Sequence, residues 1–326
     1  MTLQPRIFFV CYPDTNHTIG GVKQIYRQVE LLVQSGWHAW VLHQQLGFRA
    51  DWFASLAPVI DLQSYLEASP DPATDWFVLP ETWLSNVPTF FPGFSKLIFN
   101  QNAYYTFGLD GRFNPDTIGL YHHPDVLGVV TVSDDNRQFL VEGCGLPAQR
   151  IFTILNGIDG SLFFPPSRKL RRIVYLSRKH VDHARTVQAM AMQRSFFQRY
   201  QFCELPRLSH AELAEQLRDS LVFLSCGHPE GFGLPLAEAI ACGCLTVGYH
   251  GLAGRDFSSS SLAHVEYGDL LGFMTTLETT LRSFEADPEA MTTQLIERAC
   301  SLRERYSFEN EKIRCLEVWS KLVLEN

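Results

Sequence analysis

Apolar residues along the chain are distributed in two ways. Short continuous runs occur at 6–12 (RIFFVCY), 38–43, 76–80, 96–101, 126–133, 150–155, 171–177, 221–225 and 245–249. Runs of this length predict strands buried on both faces of a parallel sheet. Between the first two, Val22, Ile25, Tyr26, Val29, Leu32 and Val33 fall at helical spacing, and Gly36 supplies a stop. Strand, polar loop (PDTNHTIGG), helix and strand together form a βαβ unit. A second series starts at 171, passes through helical segments at 184–200 and 211–220, and reaches the strand LVFLS (221–225). A helix over about 234–242 and the strand LTVGY complete it. The pattern predicts two consecutive α/β domains.

Glycine and proline crowd the stretch LNGIDGSLFFPPSRK (155–169), where the strand–helix rhythm pauses. This places the expected domains at 1–158 and 159–308. A last segment, 309–326, is amphipathic at helical spacing through Ile313, Leu316, Val318, Trp319 and Leu322. A chain of 326 residues is long enough for two cores of this kind.

Charge narrows the partners. A formal net charge of -8 argues against a nucleic-acid ligand, which needs a clustered basic surface. The one basic run, SRKLRR (167–172), reads as a solvated lead-in to a strand. The eight cysteines show no C-x-x-C pair and read as reduced core residues. No histidine and carboxylate grouping has metal-ligand spacing, so no metal is expected. With no signal segment and no apolar run approaching the ~20 residues of a spanning helix, the expected setting is cytoplasmic, compatible with peripheral contact at a membrane.

The stretch richest in chemistry is CGHPEGFGLPLAEAIACGC (226–244), which follows the strand 221–225 directly. A strand, a glycine-marked loop and a helix opening near Pro235 form an arrangement in which backbone N–H groups and the helix dipole face an anion, with phosphate the obvious guest. Gly231 and Gly233 remove Cβ atoms where a ligand or backbone comes close. Glu238 then falls near the first helical turn, where a carboxylate can grip a ribose, and Glu230 lies at the strand's exit. On these residues alone, a plain turn followed by a dipole-favoured glutamate remains an alternative.

EGFGLPLAEAIACG resembles the paired-glutamate motif of retaining glycosyltransferases of the GT-B fold, particularly family 4 (glycosyl transferases group 1). ILNGIDGSLFFP is similar to that family's interdomain stretch, and TIGGVKQIY to its glycine-rich N-terminal loop. The resemblance implies two Rossmann-like domains facing each other across a cleft, with the final helix crossing back to the N-terminal domain. It implies transfer of a hexose from a UDP- or GDP-type sugar to a glycan, lipid-linked or small acceptor held by the N-terminal domain. Carried onto matching positions, Glu238 holds the ribose and Glu230 the transferred sugar. Gly231, Phe232, Gly233 and Leu234 offer backbone contacts, and Gly20 and Gly21 approach the diphosphate. Arg178 matches the arginine that stabilises the departing diphosphate. The lysine expected several residues later is absent, with His183 near its place, so Lys179 is the substitute candidate. A histidine expected in the N-terminal domain is also absent, where Gln101 and Asn102 stand instead. His17 is a further candidate for substrate contact. These departures keep open a second reading, a non-catalytic nucleotide-sugar-binding scaffold of the same fold.

Overall fold

The computed structural model describes residues 4–15, 19–108 and 112–325. The chain divides into two compact units: residues 1–156 with 311–326, and residues 157–310.

Among the described residues, unit 1 holds a seven-stranded sheet. Its strands are β1 (Arg6–Val10), β2 (Ala39–His43), β3 (Val59–Asp61), β4 (Asp75–Pro80), β5 (Ser95–Asn100), β6 (Val126–Thr131) and β7 (Ile151–Thr153). Their order is β3-β2-β1-β4-β5-β6-β7, with every pairing parallel. Three helices of this unit are α1 (Gly20–Gln34), α2 (Leu62–Glu67) and α3 (Asp134–Gln138). The central strands are apolar on both faces because both faces are covered: all six residues of β4 are buried.

Unit 2 carries β8 (Leu170–Leu176), β9 (Gln201–Leu205), β10 (Ser220–Ser225), β11 (Leu245–Gly248) and β12 (Leu262–His264), in the parallel order β12-β11-β10-β8-β9. Its helices are α4 (Val181–Ala191), α5 (His210–Asp219), α6 (Leu234–Ala241), α7 (Arg255–Ser258), α8 (Leu270–Ala286) and α9 (Pro288–Arg305). The last helix, α10 (Phe308–Glu325), belongs to unit 1 from Glu311 onward.

Both sheets contain a topological switch point, the place where consecutive strands leave in opposite directions and the loops after them part. In unit 1 it lies between β1 and β4, and in unit 2 between β8 and β10. Ligands in open α/β sheets bind outside the carboxyl ends of strands at such points.

Several expectations change in detail. The helix anticipated over 184–200 ends at Ala191, and a 3₁₀ turn over Ser195–Arg199 replaces its second half. That turn brings the adjacent Phe196 and Phe197 into the same core, which one face of an α-helix cannot do. Ile313 is 48% exposed, so the buried stripe of α10 runs instead through Glu311, Cys315, Val318, Trp319 and Leu322. All eight cysteines are free thiols, but Cys300 is exposed and Cys144 and Cys203 are only half-buried. Within the basic run, the Lys169 ammonium is not solvated lead-in: it donates to the carbonyls of Leu217, Arg218 and Ser220 at the end of α5.

Candidate functional site

The switch point of unit 2 assembles residues that lie fifty positions apart in sequence. Arg178 and Lys179 sit in the loop after β8, and Glu230 in the loop after β10. Arg178 Nη2 donates to Glu230 Oε1 at 3.0 Å, and Lys179 Nζ lies 3.2 Å from Glu230 Oε2. Lys179 also donates to the Pro229 carbonyl at 2.6 Å, and His180 Nε2 lies 2.8 Å from the His228 carbonyl. The two loops are thereby tied together side by side. Two formal positive charges face one negative, leaving an excess of one cation beside a pocket also lined by Cys226, Gly233 and His250.

Local backbone geometry explains the glycines. A Cβ at position 227 would lie 2.7 Å from Glu230 Oε1, so only glycine leaves room for the carboxylate where it stands. Gly233 caps α6 at a φ of +93°, in the left-handed region open to glycine, and Pro235 follows within the first turn. The Glu230 backbone is pinned from a third loop: its N–H donates to the Gly251 carbonyl at 2.7 Å. The Phe232 side chain is buried against Phe257 and Tyr306, so the backbone of that residue is what the loop presents. Gly231 precedes it, and Leu234 is the first residue of α6.

Glu238 stands apart from this cluster, more than one turn into α6 and 4% exposed. Its Oε1 lies 3.1 Å from His210 Nε2. His210 opens α5 directly after the N-cap Ser209, inside the Ser209–Glu212 capping box, and its ring packs on Phe163. Sequence reasoning did not single out His210, nor His250 on the pocket wall, because a lone histidine outside a spacing pattern carries no signal.

At the switch point of unit 1, α1 begins at Gly20, so Gly20 and Gly21 occupy its first turn rather than the preceding loop. Gln101, just after β5, donates through Nε2 to the Gly21 carbonyl at 3.1 Å, and a Cβ on Gly21 would meet that amide at 3.2 Å. The Asn102 side chain is buried, and its Oδ1 accepts from the Tyr104 N–H. His17 lies outside the described residues. Trp76 and Trp83 are 8% exposed and belong to the core.

Unit 1 also places a residue that the pattern did not flag. Glu81 follows β4 immediately and is buried, with Oε2 accepting from the Gln101 N–H at 3.0 Å. Burial raises its carboxyl pKa from 4.5 to about 7, although backbone hydrogen bonds oppose the rise. The folded state therefore holds a proton that the unfolded chain releases above pH 4.5. The stability this contributes is full below pH 4.5 and is lost as pH rises to about 7, roughly 3 kcal/mol in all. Glu81→Gln, which stays neutral, is expected to melt above wild type at pH 8 and level with it at pH 4.5 or below. Melting curves across that range check this; an equal offset at every pH would contradict it.

The expectation that no histidine and carboxylate grouping has metal-ligand spacing is corrected. His180, Asp182 and His183 place one potential ligand atom each within 4.8 Å of one another. Residues separated by one and two positions converge because they straddle the start of α4.

Two Rossmann-like α/β units with parallel sheets, the first extended by the chain's final helix, define the GT-B class of fold. Solved structures give that class concrete relatives in shape. Sucrose-phosphate synthase from Thermosynechococcus elongatus matches with a TM-score of 0.71 at 16% identity, over 99% of this chain and 100% of that one. A glycosyltransferase from Rickettsia africae ESF-5 matches with a TM-score of 0.71 at 15% identity, over 99% and 100%. Anabaena HepE, solved with UDP and glucose, matches with a TM-score of 0.71 at 12% identity, over 97% and 99%. At such identities the likeness is one of fold. No protein-family model matches the chain, and no curated protein matches it. Among the described residues, no helix is long and apolar enough to cross a membrane.

Proposed function

We propose that the chain is a retaining glycosyltransferase of the family 4 type, moving a hexose from a UDP- or GDP-type sugar to a glycan, lipid-linked or small-molecule acceptor. The observation that carries this reading is the convergence of Arg178, Lys179 and Glu230 at the switch point of unit 2. The fold is shared with HepE, whose solved forms include complexes with UDP and with UDP-glucose, and the corresponding donor is assigned here to unit 2.

In the reaction, the bond between sugar C1 and the diphosphate oxygen breaks and its electron pair stays on that oxygen. The acceptor hydroxyl forms the new bond to C1 from the same face. Its proton passes to the departing phosphate, so no side-chain base is required; Gln101 cannot act as one. Arg178 and Lys179 stabilise the charge developing on the leaving group, a task fixed cations perform without a metal ion. In the structure both face Glu230. Donor binding redirects them to phosphate oxygens and frees the Glu230 carboxylate for sugar hydroxyls. The backbone of 231–234 and the first turn of α6 receive the phosphates. Glu238, oriented by His210, holds the ribose. Unit 1 receives the acceptor. Cytoplasmic residence with peripheral contact at a membrane suits a lipid-linked acceptor.

Calorimetric titration with UDP, GDP and ADP tests the donor assignment. One of the first two is expected to bind in the micromolar range, with affinity reduced at least tenfold in Glu238→Ala. Equal affinity in wild type and this variant would remove Glu238 from the site.

A further inference from the structure

We propose that His180, Asp182 and His183 form an accessory binding site for a first-row divalent transition metal ion of the zinc type, separate from the Arg178–Lys179–Glu230 cluster. The inference needs no assumption about the reaction, since it rests on geometry within unit 2.

Two imidazoles and one carboxylate are the donor set that zinc and its neighbours prefer over magnesium or calcium. The three ligand atoms lie within 4.8 Å of one another, and His183 Nε2 is 3.9 Å from Asp182 Oδ2. Donors around a tetrahedral zinc ion sit about 3.4 Å apart, given metal–ligand bonds of about 2.0–2.1 Å. The Asp182 side chain is 77% exposed and able to swing toward the two rings. A water molecule would complete a four-coordinate shell.

The second layer is the stronger argument, because a ligating histidine normally engages its other ring nitrogen with a protein group, which fixes the ring and exposes the remaining lone pair. Both histidines engage one ring nitrogen with a protein group. His180 Nε2 lies 2.8 Å from the His228 carbonyl, and a carbonyl only accepts. This nitrogen therefore carries the proton, leaving Nδ1 as an acceptor that now faces the Tyr267 hydroxyl at 3.4 Å and would exchange it for the metal ion. His183 Nδ1 lies 2.9 Å from the hydroxyl of the buried Tyr249, leaving Nε2 directed to the Asp182 side. The two rings stack with centroids 5.2 Å apart.

The backbone supplies an independent observation. His180 occupies the left-handed region at a φ of +55°, a conformation that favours glycine, and it does so immediately before α4. The surrounding hydrogen bonds hold it there, and the conformation is what brings its ring alongside His183. Backbone held in this way is frequently tied to a site's task.

A metal ion at this position would clamp the segment that carries Arg178 and Lys179 immediately before His180. Metal occupancy would thus tune the loop's order without entering the chemistry.

The test uses the full chain, stripped of metal with a chelator, then titrated with Zn²⁺, Co²⁺ and Mg²⁺ separately. One equivalent of Zn²⁺ is expected to bind and raise the melting temperature, and Co²⁺ to give a visible d–d absorption band; Mg²⁺ should do neither. Asp182→Asn, at an exposed position that folding tolerates, should weaken Zn²⁺ at least tenfold, and His183→Gln should abolish the cobalt band. His264→Gln, in the separate stacked pair with His250, should change neither. Absence of stoichiometric Zn²⁺ binding, affinity unchanged in both site variants, or loss only in His264→Gln would each overturn the proposal.

Discussion

Arg178→Ala is expected to lower turnover of the nucleotide sugar by about 100- to 1000-fold, the loss that follows removal of one preorganised group facing developing charge. The side chain is 46% exposed, and its contact with Glu230 is a partly solvated ion pair. Pairs of this kind contribute at most about 1 kcal/mol to folding, so the melting temperature should hardly move. A large catalytic loss with an intact fold is the signature of a group used in the transition state. Arg178→Lys keeps the charge but loses the planar fork, and should recover only part of the rate. Lys179→Ala should also be slow, with a greater loss of stability, because Lys179 ties the two loops together through the Pro229 carbonyl. Initial rates of nucleoside diphosphate release, with melting curves alongside, separate these effects. Wild-type rates in Arg178→Ala would remove the leaving-group assignment.

Trp319→Ala is expected to lower the stability of unit 1 by about 3–5 kcal/mol, the usual cost of deleting a buried tryptophan side chain. Trp319 is 1% exposed and packs against Phe9 of β1 at 5.7 Å and Trp37 at 6.5 Å. For a unit of this size, the loss should appear as a melting shift of about 10 °C. Its indole N–H has no hydrogen-bond partner among the described residues. Trp319→Phe therefore removes no hydrogen bond, keeps most of the apolar contact, and should cost markedly less. The surrounding helix explains why one residue matters. Glu311 at the start of the same stripe is buried and meets Arg27 at 3.1 Å and Gln28 at 3.2 Å, both on α1. Further along, Leu322 reaches position 128, where a Cβ would meet the Arg150 carbonyl at 2.9 Å. Truncation after Asn310 removes all of these contacts and should leave unit 1 unable to fold at 37 °C. Melting that matches wild type in Trp319→Ala would contradict this packing.

What the sequence made legible follows from how much each element buries. The central strands β1, β4, β5, β6, β8 and β10 are covered on both faces and stand out as apolar runs. The strands that escaped notice, β3 (VID), β9 (QFCEL) and β12 (LAH), each lie at the edge of a sheet, where short length and half-exposed positions erase the run. The loop and helix around 226–244 were readable because Gly233 and Pro235 mark backbone needs that few other residues satisfy. Their meeting with Arg178 and Lys179 was not readable from spacing, since a parallel crossover separates the two loops by fifty residues. The resemblance to a known motif bridged that gap. Glu81 and His210 owe their places to tertiary packing alone, and a single polar residue after a strand looks the same whether it faces water or a core. The His180–Asp182–His183 grouping escaped for a related reason: its convergence depends on one left-handed residue.

The measurement that tests the central claim most directly is donor cleavage by the wild-type chain. UDP- and GDP-sugars are supplied separately with a pool of glycan and lipid-linked acceptors, and both released nucleotide and the anomeric configuration of the product are read. One donor class should be consumed, with the donor's configuration retained and with turnover surviving removal of divalent metal. Tight nucleotide binding without cleavage of any donor would contradict it and leave the chain a binding scaffold built on the fold of a transferase.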